Sequence, residues 1–251
     1  MISMGASRKL TDIMKALVGN GLVPASDIDK LIAQVEVVEL EGKKYVIKKF
    51  AKEVGVVKWI PPTVFFRVNY PFTLVPKERF DREVRFFEQE WTCFRTPKLY
   101  EKDPKNLIIV REFIDGKPAT YSHHSKKLGK FFAILHNHDW SLGDTKPTNF
   151  LVTEDGILYI IDAEQAIPTD KDIHKAWDLM LSSFFIAYRF LSNPDRYLEV
   201  LSEFINSYLH EGGKLEVIEE LTTAKFSGLA ILMPLPHVLI MSDVLEDVLR
   251  K

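Results

Sequence analysis

The stretch Ser141-Leu142-Gly143-Asp144-Thr145-Lys146-Pro147-Thr148-Asn149 constrains this chain more than any other. It holds the pattern D-x-K-P-x-N, four specified residues in six. Asp, Lys, Pro and Asn are turn formers, and alone they would read as a surface turn between strands. The surroundings say more. Leu128, Phe131, Phe132 and Leu135 recur at helical spacing and lead into the loop. Phe150-Leu151-Val152 and Ile157-Leu158-Tyr159-Ile160-Ile161 are two β-rich runs on either side of the turn Glu154-Asp155-Gly156. The second run ends in Asp162, thirteen residues after Asn149, and a strand end holds a side chain rigidly. Asp144 can accept the proton of a hydroxyl, and Lys146 can offset negative charge. Asn149 and Asp162 offer hard oxygen atoms of the kind Mg²⁺ takes.

In order and spacing the segment resembles the catalytic loop and metal-binding aspartate of the protein-kinase-like superfamily. That resemblance implies an α+β fold with two lobes, a small β-rich N-lobe and a helical C-lobe. It implies ATP and Mg²⁺, with Asp144 and Lys146 as catalytic residues and Asn149 and Asp162 as metal ligands. More of the chain fits the same layout. Val35 to Leu40, the turn Glu41-Gly42-Lys43 and Tyr45 to Phe50 read as a β-hairpin. Side chains alternate along a strand, so Val46 and Lys48 share a face. The family places V-A-I-K there, with a small residue over the adenine and a lysine on the phosphates. Lys77 to Glu90 reads as a helix with Phe80, Val84 and Phe87 on one face. Its Arg82-Glu83-Val84 resembles the family's helix whose glutamate orients the lysine, although Asp81, Glu88 and Glu90 compete with Glu83 for that role. Leu107 to Gly116 resembles the hinge strand between lobes. There the Glu112 carbonyl and the Ile114 amide would meet adenine.

Asp178 follows Asp162 by sixteen residues and stands before an apolar helix, Leu179 to Phe190. In the family an aspartate there braces the catalytic loop. A helix cap or first-turn acid is an equally physical reading. The gap of sixteen is too short for a long activation segment and points to compact relatives. These are RIO kinases, the small kinase of the KEOPS tRNA-modification complex, aminoglycoside phosphotransferases and lipopolysaccharide-sugar kinases. Within the loop, Lys146-Pro147 is the Ser/Thr protein-kinase form and tilts the acceptor toward a protein hydroxyl. The departures are equally specific. No G-x-G-x-x-G precedes the hairpin, so a glycine clamp on phosphate is unsupported. Leu142-Gly143 stands where His-Arg is usual, Ala163-Glu164 where Phe-Gly is usual, and Arg111 where the hinge residue is normally apolar.

The domain expectation is an N-terminal helical extension over 1–34, an N-lobe over 35–116 and a C-lobe over 117–251. Within the extension, residues 8–18 read as an amphipathic helix and Ser26-Asp27-Ile28-Asp29 as a cap. Within the N-lobe, 111–116 is the hinge and 51–76 an aromatic, proline-rich insertion. That insertion reads as a packed connection, with an exposed partner or membrane surface as the alternative. The net charge of −2 excludes a general nucleic-acid binder, and the single cysteine, Cys93, excludes an internal disulfide and favours the cytoplasm. The apolar run from Phe226 to Met241 is broken by Pro234, Pro236 and His237. It is shorter than the roughly 20 residues of a spanning helix, so it reads as a buried helix and bend. Two functions compete with catalysis at a free hydroxyl acceptor. One is a non-catalytic, nucleotide-binding partner module of the same fold. The other is a sugar or lipid-glycan kinase at a membrane surface.

Overall fold

The computed structural model describes residues 34–51 and 59–250. The expected helix over 8–18, the cap at Ser26 and residues 52–58 of the insertion lie outside the described residues. The chain opens as the expected hairpin, β1 (Val35–Leu40) and β2 (Lys43–Lys49). Glu41 and Gly42 both have positive φ, 50° and 73°, the sign a two-residue hairpin turn with native strand twist requires. β3 (Leu99–Asp103) and β4 (Ile108–Glu112) complete an antiparallel sheet of order β1-β2-β4-β3.

Register decides what each face does. β2 and β4 pair Val46 with Arg111 and Lys48 with Ile109, so these four side chains share a face. Ile47, Ile108 and Val110 take the other face, where Val38 and Tyr45 pack on them. A helix, α2 (Pro76–Phe87), covers the first face. Its buried residues are Arg79, Phe80, Glu83, Phe86 and Phe87. Phe80 and Phe87 of the expected stripe are buried and Val84 packs partly buried against the same core, with Glu83 more deeply buried beside them. Glu83 lies at the centre of the buried face, because it has a cation waiting there. Between β2 and α2 runs the described end of the insertion, with a short helix, α1 (Ile60–Phe65), started by Pro61 and Pro62.

The second lobe is helical. α3 (Tyr121–Asn137) packs on a later helix, α5 (Pro194–His210), so closely that a Cβ on Gly129 would meet the Phe204 carbonyl at 2.4 Å. Between α3 and α4 (Asp172–Arg189) the chain makes short strands. β6 (Trp140–Ser141) pairs with β9 (Ile167–Pro168), and β7 (Phe150–Val152) with β8 (Leu158–Ile160) and with β5 (Lys117–Pro118), which precedes α3. Residues 142–149 are strung between two of these strands and end in a 3₁₀ turn, Pro147–Asn149. Beneath them a ring-rich core holds Phe131, Phe132, Phe150 and Phe204 fully buried. The fold is α+β, with a small antiparallel sheet in the first part and a largely helical remainder.

Two expectations change. α4 begins at Asp172, not near Leu179, which leaves Asp178 seven residues into the helix and fully buried. A capping role is thereby removed. The tail from Phe226 to Met241 is only half buried. After α6 (Leu215–Leu221) and α7 (Ser227–Ala230), α8 (Leu235–Leu249) hides His237 and Met241, whereas Ile231, Leu235 and Leu239 are exposed. Among the described residues no helix is long and apolar enough to cross a membrane.

Candidate active site

Where the sheet meets the C-lobe, Lys48 is the focus. Its Nζ donates to Glu83 Oε2 at 2.6 Å and to Asp162 Oδ1 at 2.9 Å, with Glu164 Oε2 at 3.5 Å. Lysine, helix glutamate and strand-end aspartate come from three separate elements, so the fold alone brings them together. Burial by itself would lower the Lys48 pKa. The Asp162, Glu164 and Glu83 carboxylates outweigh it and hold the ammonium charged far above neutrality. Three carboxylates around one ammonium leave negative charge in excess. The innermost, Glu83, is pushed up to about 7, first by burial, against the pull of Lys48.

Glu164 takes part of that excess elsewhere. It accepts from Arg79 Nη1 at 3.3 Å, from the Trp59 indole at 2.7 Å and from Gln34 Nε2 at 2.9 Å. Arg79 is fully buried and also donates to the Phe50 carbonyl at 2.9 Å. The next residue, Gln165, exchanges hydrogen bonds of 3.0 Å with both backbone groups of Thr73. Thus Ala163-Glu164-Gln165, where Phe-Gly was missing, is tied to the insertion and to α2.

Asp144 and Lys146 lie across the cleft, paired at 2.8 Å and both partly exposed. Burial works against the Lys146 charge, but Asp144, Asp162 and Glu164 raise its pKa. The loop carrying them is braced from below. Asp178 accepts the Leu142 and Gly143 N–H groups at 2.7 Å each and the Ser141 hydroxyl at 2.8 Å, and it meets His136 Nε2 at 3.3 Å. The neighbouring Trp177 indole donates to the Gly143 carbonyl at 2.8 Å. Of the two readings of Asp178, the brace is the one the geometry supports.

Tyr70 is the residue that sequence reasoning missed. Its hydroxyl donates to the Gln165 carbonyl at 2.7 Å and reaches the Ser141 carbonyl at 3.2 Å, bridging the two loops. Its ring fills the space beside residue 143. A Cβ on Gly143 would lie 2.4 Å from Tyr70 Cε1, and Gly143 has φ of +77°. Tyr70, from the insertion, thus occupies the space beside the glycine that stands before Asp144. The signal in the sequence was the glycine before Asp144, which asks for something bulky against it.

Asn149 is buried, and its amide nitrogen donates to the Asp144 carbonyl at 3.0 Å. That bond fixes the amide and leaves its oxygen as the available ligand. Asp162 keeps a fifth of its side chain exposed. Mg²⁺ in phosphate sites takes only one or two protein oxygens and completes its shell with phosphate and water, so this pair fits it. Among the described residues no group of three or more His, Cys, Asp or Glu suited to a metal occurs.

Val46 is buried on the same face as Lys48. Glu112 ends β4 and Ile114 follows it, buried. Arg111 turns its buried guanidinium toward this region and donates to the Glu112 carbonyl at 3.4 Å. Its Nε has no hydrogen-bond partner, and burial lowers its pKa against the pull of Glu83 and Asp162.

No known protein family matches the chain, and no curated protein does. Solved structures do align with it. The co-crystal structure of WbdD with the kinase inhibitor LY294002 aligns over 84% of this chain and 48% of its own, at 14% identity and a TM-score of 0.45. A medium-resolution structure of the bifunctional kinase-methyltransferase WbdD aligns over 76% and 48%, at 14% identity and a TM-score of 0.44. The chain spans about half the length of those structures. At that level the likeness says nothing about chemistry, which comes from this chain's own geometry.

Proposed function

We propose that the protein is an ATP- and Mg²⁺-dependent phosphotransferase that moves the γ-phosphoryl group to a hydroxyl acceptor. The observation that carries this reading is the double pairing of Lys48 with Glu83 and Asp162. A scaffold has no need to hold a charged lysine under three carboxylates at the edge of a cleft. A phosphate-binding site does.

In this reading Lys48 holds nucleotide phosphates, and Glu83 orients Lys48. Val46 covers the base, and the Glu112 carbonyl and Ile114 amide meet its edge. Asn149 and Asp162 hold Mg²⁺, which when bound offsets charge on the phosphates. Asp144 accepts the proton of the attacking hydroxyl, and Lys146 offsets charge on the group in transit. Catalysis is then positioning plus charge compensation, with no covalent enzyme intermediate. Glu164 and Gln165 keep the start of the following segment locked without phosphorylation.

One observation favours a second reading, a nucleotide-binding partner module: no G-x-G-x-x-G precedes the hairpin to clamp a transferring phosphate. Turnover of ATP separates the two. The wild type should consume Mg·ATP in the presence of an alcohol, and Asp144→Asn should lose about 10²–10⁴-fold, the usual cost of a general base. Equal turnover in both proteins would remove Asp144 from the mechanism.

A further inference from the structure

A cavity of about 260 Å³ opens beside Asp144 and Lys146. It is a half-open pocket lined by Trp59, Phe66, Phe72 and Trp177, with Leu181, Phe185 and Leu229 completing the apolar wall. It approaches the lower end of the ~300–1,000 Å³ range of small-molecule pockets. From this cavity we infer the acceptor class: an alcohol with one hydroxyl on a hydrocarbon body. The inference rests on the phosphotransferase reading above and adds the substrate to it.

The argument is one of hydrogen-bond supply. The two wall groups able to donate are the indoles, and both are engaged: Trp59 with Glu164 at 2.7 Å, Trp177 with the Gly143 carbonyl at 2.8 Å. That leaves Asp144 and Lys146 as the polar side chains among the described residues lining the cavity. They can serve one hydroxyl. A sugar would bring several hydroxyls, and a peptide one N–H and one C=O per residue, into a wall without partners for them. Burying such groups unpaired is strongly unfavourable. An alkyl or prenyl chain has none to satisfy. The expectation of a protein Ser/Thr acceptor, drawn from Lys146-Pro147, is not what this wall suits.

The chain next to the lining residues agrees. Val64, Phe65 and Val68 flank Phe66, and Ile231 follows Leu229 by two residues. All four are 68–81% exposed. Asn69 Nδ2 donates to the Lys225 carbonyl at 2.9 Å, and a Cβ on Gly228 would touch the Phe66 ring, so the two segments adjoin. A hydrocarbon chain longer than the cavity would continue onto this apolar collar.

The reaction balances simply. The alcohol oxygen bonds to the γ-phosphorus of ATP, and its proton passes to the Asp144 carboxylate. The bond between that phosphorus and the β,γ-bridging oxygen breaks, giving ADP and an alkyl monophosphate.

The test uses the whole chain and the n-alkanols from butanol to decanol. Tryptophan fluorescence reads binding, since two of the four tryptophans line the cavity. ³¹P spectra with Mg·ATP read transfer. Affinity should rise roughly fourfold per methylene until the cavity is full, as burial of each CH₂ predicts, and alkyl monophosphate should appear. Leu181→Trp, which fills the cavity, should weaken decanol binding at least tenfold while its thermal melt shows a folded protein. Hexadecanol in phosphatidylcholine vesicles forms a second arm. Phosphorylation only there assigns the acceptor to a bilayer, and phosphorylation of free decanol assigns it to solution. No chain-length dependence among the free alkanols together with no phosphorylation of hexadecanol in the vesicles overturns the inference, as does tenfold better kcat/KM for glycerol or a serine peptide than for decanol. Chain-length-dependent binding with no ATP consumption leaves the pocket chemistry standing and removes the phosphotransferase reading instead.

Discussion

Replacing one oxygen of Asp178 tests the brace under the loop of residues 142–149. In Asp178→Asn the side chain keeps its volume but turns one acceptor into a donor. The Leu142 and Gly143 N–H groups, each bonded at 2.7 Å to a different carboxylate oxygen, cannot both be satisfied. One stays bonded to the amide oxygen, without the help of charge. The other faces an NH₂ group in a fully buried site. An orphaned buried donor costs about 1–3 kcal/mol, and the lost charge assistance about 1 kcal/mol more. The expected destabilisation is therefore about 2–4 kcal/mol, a large part of the ~5–15 kcal/mol a domain has. Asp178→Ala orphans both N–H donors, while the Ser141 hydroxyl keeps the His174 carbonyl at 2.8 Å, and should cost about 3–5 kcal/mol. Urea unfolding measures both, provided the slope stays constant. Hydrogen exchange at the Leu142 and Gly143 amides should quicken by at least tenfold in the Asn variant. A midpoint within about 0.5 kcal/mol of wild type, the range of a neutral surface change, with unchanged protection of those amides, would refute the brace.

Three further expectations concern neighbouring residues. Glu83 has a folded pKa raised from 4.5 to about 7, so its contribution to stability is fully present below pH 4.5 and lost as pH rises through 7. Glu83→Gln removes that titration. Wild type and variant should melt alike near pH 4.5 and diverge by roughly 3 kcal/mol by pH 8, the variant being the more stable; a constant difference across that range would contradict it. Gly143→Ala should cost about 1–2 kcal/mol for the left-handed backbone and ~1–3 kcal/mol for the collision with Tyr70. In a Tyr70→Ala background only the first part should remain, and a double-mutant cycle without coupling would sink the Tyr70 assignment. Thr169, whose hydroxyl already meets His174 Nδ1 at 2.8 Å and the Lys171 N–H at 3.2 Å, should be replaceable by alanine without loss of specific activity. A large loss restored by an acidic residue at 169 would bring back an activation-loop mechanism.

Local pattern made much of this legible. The hairpin is legible from alternation and a turn with Gly42, Lys48 from its place two residues after Val46 on one strand face, and Glu83 only from the resemblance carried by Arg82-Glu83-Val84, since helix periodicity points to Val84 instead. What local pattern cannot supply is the partner across a long sequence separation. Glu164 reads as a departure from a motif until Arg79, 85 residues away, is found beneath it. Asp178 was misplaced at a helix start because Lys171, the residue capping α4, makes no side-chain cap bond, so no start signal precedes Asp172. The aromatic insertion was ambiguous for a physical reason. Tyr70 and Trp59 are buried against the loops, while Val64, Phe65 and Val68 a few residues away are exposed, so one composition serves two environments. The same holds for the tail, where Met241 is covered and Ile231 is not.

The central claim is that Lys48 and Asp162 are gathered to hold a metal-bound triphosphate. Calorimetric titration of Mg·ATP into the wild type, Lys48→Met and Asp162→Ala tests it most directly. Charge-assisted contacts of this kind contribute about 1.5–3 kcal/mol each. The account predicts saturable, Mg²⁺-dependent binding to the wild type, weakened at least tenfold in each variant while both still melt cooperatively. Equal Mg·ATP affinity in all three proteins, or none in the wild type, would contradict it.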